Sequence, residues 1–355
     1  MPAASSSAAE ASLARRAAVV GLAGERLEPG EAGLFESYPP LGFILFRRNC
    51  RSTAQVRALI AALHAVPGCE DAPVMVDQEG GRVVRLAPPD WPARCALRRI
   101  GELAEVDLDL GRRAAWLHSR LIAADLEPLG IRITCAPVLD LGLPGQTRAI
   151  GDRAYGADPD LVGELGAAAI QGFLDGGVLP VIKHLPGHGR ATVDSHLELP
   201  LVDADAQTLE TTDWRPFVRN RTARLGMTAH ILFSALDADA PATQSRRIVE
   251  EVIRGRIGFE GLLFSDDLSM EALEGTVGER AARARAAGCD VALHCNGRLD
   301  EARAVLDAAG PLSPAAEGRL ARALDQLRPG RAFDDAAGAA ELEDLLAWVP
   351  AGALA

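Results

Sequence analysis

One segment near the middle of the chain concentrates side chains that can transfer protons. The stretch VIKHLPGHGRATVDSHLELP (181–200) contains His184, His188, Asp194 and His196, and its proline and glycines exclude a regular helix. A carboxylate next to a histidine raises the pKa of the imidazole and fixes its tautomer. In Asp194-Ser195-His196, one ring nitrogen can bond to the carboxylate while the other exchanges a proton with a bound molecule. We therefore interpret Asp194 and His196 as a general acid/base pair.

A second segment, FSDDLSM (264–270), places two carboxylates directly after apolar residues. A strand that ends here would present Asp266 at its carboxyl end, where a carboxylate can attack or stabilise an electron-poor carbon. Asp267 fits a more ordinary role, that of capping the next helix. Asp266 is therefore the candidate nucleophile.

A metal site is the alternative interpretation of His184 and His188. The two histidines are four residues apart in a stretch that cannot be helical, and no HExxH pattern occurs in the chain. We therefore expect no metal ion.

The chain alternates strand and helix patterns that can position these residues. Stretches such as TAQVRALIAALHAV and LVGELGAAAIQGFL carry apolar residues at the spacing of amphipathic helices. Eight such units predict an α/β fold, a single (β/α)₈ TIM-type barrel with short terminal extensions. An open doubly wound sheet is the alternative, because short apolar runs do not fix strand order. The predicted strands are AAVVGLAG (17–24), GFILF (42–46), PVMVDQ (73–78), IRITCAPVLD (131–140), LPVIKH (179–184), RLGMTAH (224–230), GLLFSDD (261–267) and DVALHCN (290–296).

Polar and ionisable residues collect at the carboxyl ends of these strands. In a barrel all these ends open onto one face, so residues distant in sequence converge on one pocket. Of the seven histidines, only His64 and His118 lie in helical patterns, which favours a shared site over general loop polarity. The strand-end residues are Asp77, Glu79, Asp140, Lys183, His184, His230, Asp266, Asp267, His294 and Asn296.

Composition favours one globular unit. The 355 residues are 48% hydrophobic and 24% charged, which is enough to build a core, and α/β barrels often exceed 250 residues as one domain. The net charge of −12 disfavours nucleic acid and membrane as partners. The six scattered cysteines contain no CxxC pair, so a disulfide framework is not expected.

The chain shows neither a secretory signal nor a long apolar run, so we expect a cytoplasmic protein. We divide it into a flexible N-terminal extension (1–15), the barrel (16–330), and a linker with a short C-terminal helix (331–355).

Seven motifs together resemble glycoside hydrolase family 3. They follow the family's order between about residues 17 and 330, and the long KHLPGHG…DSH string is the most specific of them. More narrowly, they resemble the family's bacterial β-N-acetylglucosaminidases (β-hexosaminidases) of cell-wall recycling. The motifs are VDQEGGRVVRL (76–86), APVLDL (136–141), IGDRAYG (150–156), KHLPGHG (183–189) with DSH (194–196), MTAHILFSALD (227–237), FSDDLSM (264–270) and AGCDVALHCNG (287–297).

The resemblance implies an activity and a role for each matching residue. It makes Asp266 the nucleophile and Asp194 with His196 the acid/base dyad of a retaining exo-β-N-acetylglucosaminidase. The implied reaction is a double displacement that releases GlcNAc from β-1,4-linked GlcNAc-anhydroMurNAc muropeptide fragments. It requires no cofactor, and we expect a monomer. The residues implied to surround the terminal sugar are Asp77, Arg85, Arg153, Lys183 and His184.

Two expectations concern neighbours of these residues. We interpret Glu79 as an anchor for Arg85 or Arg82 rather than as a catalytic group. We also expect the loop 185–195 to be mobile without ligand, because glycines and small polar residues surround a motif with few apolar anchors. Arg190 and Ala191 in this loop depart from the family's pattern, so the resemblance implies no contact for them.

Two other functions remain open at this point. The same dyad could transfer GlcNAc to phosphate, because a neutral histidine repels phosphate less than a carboxylate does. A catalytically dead sugar-binding barrel is the other alternative, although the joint presence of Asp266, Asp194 and His196 argues against it.

Overall fold

The eight predicted strands form one closed barrel in the computed structural model, which describes residues 15–195 and 198–349. The barrel strands are β1 Arg16–Gly21, β2 Pro40–Leu45, β3 Val74–Val76, β4 Ile131–Thr134, β5 Leu179–Leu185, β6 Leu225–Thr228, β7 Leu262–Asp267 and β8 Val291–His294. Each strand pairs in parallel with its sequence neighbours, and β8 closes the ring on β1. The predicted (β/α)₈ barrel is therefore confirmed, and the open doubly wound sheet is excluded.

Helices connect the strands on the outside of the barrel. Two short strands, Leu201–Val202 and Leu232–Phe233, pair with each other outside the ring. A π-helical segment, Ile248–Arg256, connects β6 to β7. The α-helices are α1 Pro29–Ser37, α2 Thr53–His64, α3 Leu97–Val106, α4 Leu108–Leu126, α5 Pro159–Asp175, α6 Ala206–Thr211, α7 Arg215–Arg219, α8 Val277–Ala287, α9 Leu299–Ala309, α10 Pro314–Leu324 and α11 Asp335–Leu346.

The barrel interior is a packed apolar layer that α10 covers at one end. Side chains such as Val181 and Phe264 point inward, and Ala316 and Ala323 of α10 belong to the same buried cluster. The residues next to α10 come from the beginnings of the strands, for example Leu179. This helix therefore closes the amino-terminal end of the barrel, and a ligand can approach from the carboxyl-terminal face.

The C-terminal helix α11 packs on the outside of the barrel. Its Leu342 is buried in the apolar cluster formed with α3 and α4, and Glu341 forms an ion pair with Arg113 of α4. Among the described residues, no helix combines the length and the apolar character needed to cross a bilayer. The six cysteines are free thiols.

We expect the buried histidine of α4 to make the fold sensitive to acid. His118 is 1% exposed, and its Nε2 lies 3.1 Å from the carbonyl oxygen of Cys95. Burial, with the nearby charge of Arg94, lowers its pKa to about 4. Between the ordinary value of 6.5 and this value, the unfolded chain binds a proton that the folded chain excludes. The free energy of unfolding should therefore decrease by up to about 3 kcal/mol as the pH falls through that window.

Urea unfolding at several pH values between 7 and 4 measures this effect. His118→Gln keeps a donor for the Cys95 carbonyl but does not titrate, so its stability should depend less on pH than that of the wild type. Identical pH profiles for the two proteins would contradict this assignment.

Candidate active site

A pocket of about 320 Å³ opens where the barrel strands end. This volume is at the lower end of the range for small-molecule sites, roughly 300–1,000 Å³. Seven of the eight residues that the sequence analysis singled out line the pocket, while His196 lies outside the described residues. The seven are Asp77, Arg85, Arg153, Lys183, His184, Asp194 and Asp266. The barrel thus brings together positions separated by up to 189 residues in the sequence.

A buried lysine lies at the centre of the charged wall of this pocket. Lys183 Nζ is 2.9 Å from Asp77 Oδ1 and 2.6 Å from Glu79 Oε1. Side-chain exposure is 3% for Lys183 and 1% for Glu79. Because an unpaired charge is costly to bury, the two carboxylates and the lysine stabilise each other in their ionised forms.

Two arginines extend this wall, and their partners correct the interpretation of Glu79. Arg153 donates two hydrogen bonds to Glu79, at 2.8 and 2.9 Å. Arg85 bonds to Asp77 at 3.1 Å, and Arg82 bonds to Asp152 at 2.9 Å. Glu79 therefore anchors Arg153 and Lys183, and the expectation that it anchors Arg85 or Arg82 was wrong.

The cations keep both carboxylates of the wall ionised. Burial raises the pKa of each carboxyl, but the charges of Lys183 and Arg85 outweigh it at Asp77, whose pKa lies well below its usual range. At Glu79, Arg153 and Lys183 likewise outweigh burial and lower the pKa to about 2. The wall therefore offers a bound molecule a charged acceptor at Asp77 and charged donors at the arginines, and such hydrogen bonds are stronger than neutral ones.

A second Asp–His pair orients the histidine at the end of β5. His184 Nδ1 lies 2.6 Å from Asp140 Oδ2, and Asp140 is fully buried. Burial opposes ionisation of Asp140, but the charge and hydrogen bond of His184 and the backbone N–H of His188 together lower its pKa, so the carboxylate accepts and Nδ1–H donates. Asp140 Oδ1 also accepts the backbone N–H groups of His184 and His188, at 3.2 and 2.7 Å. His184 is thereby held in one orientation against the pocket.

Asp266 ends β7 with its side chain in the pocket. Its Oδ1 accepts the backbone N–H of Asp267 at 2.8 Å. Burial opposes ionisation, but the neighbouring imidazoles of His184 and His230 outweigh it, and the pKa of Asp266 is lowered. An ionised carboxylate at the end of a barrel strand is well suited to attack an electron-poor carbon.

Its neighbour Asp267 has a structural role. Its Oδ1 accepts the backbone N–H of Ser269 at 3.0 Å and that of Cys295 at 3.1 Å, and Oδ2 accepts the Ser269 hydroxyl at 2.6 Å. These bonds cap the turn after β7 and connect it to the end of β8.

Four of the strand-end residues do not line the pocket: Asp140, described above, and His230, His294 and Asn296. His230 is fully buried, with Nδ1 2.8 Å from Thr243 Oγ1 and Nε2 3.0 Å from the carbonyl oxygen of Asp267. Asn296 bonds to Glu301 at 2.6 Å, next to the buried His294. The convergence predicted for the strand ends is therefore wrong for His230, His294 and Asn296, while Asp140 contacts His184 without lining the pocket itself.

The loop predicted to be mobile, 185–195, is firmly anchored in its first part. Residues 185–189 are buried, and the carbonyl oxygen of Ala191 accepts the N–H of Thr147 at 2.8 Å. Arg190 forms an ion pair with Asp213 at 2.7 Å. These anchors were not anticipated from the small and polar residues of the loop. These contacts hold residues 185–191, and mobility stays a prediction for residues 192–194.

Sequence analysis did not assign site roles to two residues that support the pocket. Asp140 was noted only as a strand-end carboxylate, and His188 only as a residue of the KHLPGHG motif and of the alternative metal site. The APVLD strand end could have indicated the role of Asp140, because a buried carboxylate needs hydrogen-bond donors and a nearby cluster of histidines can supply them. Spacing alone did not show that Asp140 lies beneath His184.

Asp140→Asn should weaken catalysis without unfolding the protein. The amide oxygen can still accept the backbone N–H groups, but its NH₂ group cannot accept the Nδ1–H of His184. Loss of this charged hydrogen bond should lower kcat/KM by about 10- to 100-fold on a chromogenic substrate. The matched control is Asp152→Asn, because the half-exposed pair with Arg82 contributes little. Equal kcat/KM for the two variants would contradict the orienting role of Asp140.

Comparison with known proteins assigns the chain to a family. The family model described as "Glycosyl hydrolase family 3 N terminal domain" matches residues 37–324. The chain belongs to glycosyl hydrolase family 3. It is therefore a glycoside hydrolase, and the matched region contains the pocket described above.

Named relatives within family 3 cover most of the chain. A beta-hexosaminidase from Alkalilimnicola ehrlichii is 42% identical over 287 residues, which are 78% of this chain and 80% of that protein. NagZ from Neisseria gonorrhoeae, solved in complex with N-trifluoroacetyl-D-glucosamine, superposes with a TM-score of 0.81 at 31% identity, over 95% of this chain and 98% of that one. A family 3 beta-N-acetylglucosaminidase from Paenibacillus sp. superposes with a TM-score of 0.82 at 31% identity, over 93% of this chain and 66% of that one.

Proposed function

We propose that this family 3 enzyme is a retaining exo-β-N-acetylglucosaminidase. The observation that carries the proposal is the carboxylate of Asp266 at the end of β7, in a small pocket that is also lined by the charged wall of Asp77, Arg85, Arg153 and Lys183. The names of the relatives support the sugar: beta-hexosaminidases, and a NagZ structure that holds an N-acylated glucosamine.

A pocket of this kind favours release of one terminal sugar. Its volume of about 320 Å³ suits one monosaccharide better than a chain of several. Since α10 and the packed barrel interior close the far end, a polysaccharide cannot pass through. The linked sugar would then extend outward from the carboxyl-terminal face.

We assign the first bond-making step to Asp266. Its Oδ1 is engaged by the N–H of Asp267, so Oδ2 is the oxygen that we assign to attack the anomeric carbon. The attack would form a glycosyl-enzyme and break the bond to the leaving sugar. A retaining reaction requires a second displacement, in which water attacks this intermediate.

We assign the proton transfers to Asp194 and His196. The imidazolium of His196 would donate its proton to the glycosidic oxygen as the bond breaks, and the neutral imidazole would then accept a proton from the attacking water. Asp194 lines the pocket, which supports its place beside the departing group. Because a histidine replaces the second carboxyl group, the usual carboxylate separation does not apply.

We assign recognition of the sugar to the charged wall and to His184. Asp77 would accept hydrogen bonds from hydroxyl groups, while Arg85, Arg153 and Lys183 would donate to hydroxyl groups and to the acetamido carbonyl. His184, with Nδ1 held by Asp140, would present Nε2 to the sugar.

We further propose a β-1,4-linked GlcNAc-anhydroMurNAc muropeptide fragment as the substrate. Support comes from the motif resemblance and from the NagZ relative. The half-exposed Arg82 at the pocket rim offers a positive charge to an anionic leaving group.

Product analysis with this disaccharide, with and without phosphate, tests the proposal. We expect GlcNAc with retained β configuration and no change in product when phosphate is added. A sugar 1-phosphate would make the enzyme a phosphorylase. Absence of turnover on both the disaccharide and an aryl β-GlcNAc substrate would overturn the function.

Three further expectations stay proposals. They are the division into extension, barrel, and linker with helix, the cytoplasmic location, and the monomeric state. Limited proteolysis, cell fractionation and light scattering test them in turn.

A further inference from the structure

The mechanism above leaves one buried histidine of the pocket without a role. His188 is 3% exposed and lines the pocket, four residues after His184. Burial, followed by the charge of His184, lowers its pKa to about 4, so the ring is neutral near pH 7. A buried histidine in a pocket wall costs more than an apolar residue unless its ring nitrogens are used.

His188 lies on a rigid turn. Its backbone N–H donates to Asp140 at 2.7 Å, and its backbone oxygen accepts the N–H of Ala191 at 3.1 Å. Its ring packs edge-on against His184, with ring centres 5.5 Å apart. Asp140 and the turn to Ala191 therefore hold the backbone at His188, and His184 packs against its imidazole.

The ring of His188 contacts the middle residue of the DSH motif. Its Nε2 lies 3.4 Å from Ser195 Oγ, and Ser195 is 3% exposed. The other described residues from Thr192 to Leu199 are partly or fully exposed. Ser195 is therefore where this stretch touches the rigid body of the barrel.

Packing alone does not account for a histidine here. His188 Nδ1 is buried and has no hydrogen-bond partner among the described residues. A buried polar atom without a partner typically costs about 1–3 kcal/mol. A leucine would fill a similar space without that cost, so the contact of Nε2 with Ser195 is the feature that needs the histidine.

We propose that His188 is a positioning residue whose hydrogen bond to Ser195 sets the place of the acid/base dyad beside the sugar. Ser195 directly follows Asp194 in the chain, so fixing Ser195 restricts Asp194, the dyad residue that lines the pocket. This inference rests on the dyad role proposed above. It predicts that loss of the bond impairs proton transfer and leaves sugar binding intact.

Paired substitutions at His188 test the proposal. In His188→Gln, the amide reaches the place of Nε2 and can keep the bond to Ser195, whereas in His188→Asn it reaches only the place of Nδ1. Each variant is assayed on GlcNAc-anhydroMurNAc, whose leaving group needs a proton, and on an aryl β-GlcNAc substrate, whose leaving group does not. Ser195→Ala removes the bond from the other side.

We expect His188→Asn and Ser195→Ala to lower kcat on the disaccharide by roughly 10-fold, a fraction of what general acid catalysis supplies. KM and the burst of aryl product should stay near the wild-type values, and His188→Gln should keep most of the activity. The double variant His188→Asn/Ser195→Ala should be no worse than either single variant, because both remove the same bond.

Several results would overturn the proposal. They are equal losses in the rate of the first step on both substrates, a Gln variant as impaired as the Asn variant, additive losses in the double variant, or unchanged rates throughout. If His188→Asn does not fold, Ser195→Ala alone decides through the ratio of its first-step rates on the two substrates. A wild-type enzyme inactive on both substrates would overturn the proposed function, and this inference with it, whereas normal wild-type activity with unchanged variants would overturn only the inference.

Discussion

Asp266→Asn should lower turnover by at least about 10⁴-fold on every substrate, including those with activated leaving groups. The reason is that the carboxylate supplies the bond to the anomeric carbon, a contribution that no neighbouring group in the pocket can replace. The amide is similar in size and can still accept the N–H of Asp267, so the fold should remain. Steady-state rates and the thermal unfolding midpoint measure the two expectations.

The adjacent residue provides a matched control. Asp267→Asn changes the next carboxylate of the same FSDD motif, which holds the turn after β7. We expect a less stable protein that retains turnover within about 10-fold of the wild type, because an amide satisfies these donors only in part. If both variants lost turnover to the same degree, the effect would be structural.

A covalent adduct would identify the nucleophile directly. Wild-type enzyme quenched during turnover of an activated aryl substrate should carry one N-acetylglucosaminyl group on the peptide that contains Asp266. Near-normal turnover of Asp266→Asn, or an adduct on another peptide, would contradict the assignment of Asp266 as the nucleophile.

The barrel could be predicted from the sequence because its strands are buried on both faces. Such strands appear as short apolar runs bounded by polar residues, and eight of them alternate with helical patterns. The predicted boundaries of the strands were less accurate. The predicted strand 131–140 pairs regularly only over Ile131–Thr134, with a separate bridge between Val138 and Lys183. Pro137 lacks an N–H to donate and interrupts the ladder.

The strand-end residues of the pocket could also be predicted, since strand ends of a barrel share one face, whereas Arg85, Arg153 and Asp194 were expected from the motif resemblance. The hydrogen-bond partners of the charged residues in the pocket could not be predicted. Glu79 bonds to Arg153, which is 74 residues away in the sequence, rather than to the nearby Arg82 or Arg85. Which cation a buried carboxylate meets depends on how adjacent strands and loops are staggered, and sequence spacing does not show this.

The sequence did not show the anchoring of the loop after β5, for the same reason. Arg190 reads as an exposed residue in a glycine-rich stretch, yet Asp213, 23 positions later, lies close enough to pair with it. Composition describes the residues of a loop and not the surface beneath it. For residues 192–194, mobility stays a prediction.

His196→Ala should impair the two chemical steps unequally. With the disaccharide, the first step needs a proton on a poor leaving group, so the rate should fall by about 10²- to 10⁴-fold, the usual contribution of general acid/base catalysis. An activated aryl group leaves without that proton. With such a substrate we expect a burst of aryl product, followed by a stall at the glycosyl-enzyme, because no base activates the water.

Azide separates these steps further. A small anion needs no base, so it should restart turnover of the stalled His196→Ala enzyme and yield a β-azide product. Asp194→Ala should show a weaker form of the same pattern, because we assign Asp194 to orienting and charging the histidine. Rapid mixing for the burst and product analysis for the azide measure both expectations.

Equal losses on both substrates, with no response to azide, would make His196 a binding or structural residue. The acid/base would then have to come from another group of the pocket. His230 is a poor substitute because both ring nitrogens are engaged, by Thr243 and by the carbonyl of Asp267. Glu79 is equally poor, since Arg153 and Lys183 hold its carboxylate ionised and its pKa at about 2. That outcome would leave Asp194, a carboxylate that already lines the pocket, as the next group to replace and assay on the same pair of substrates.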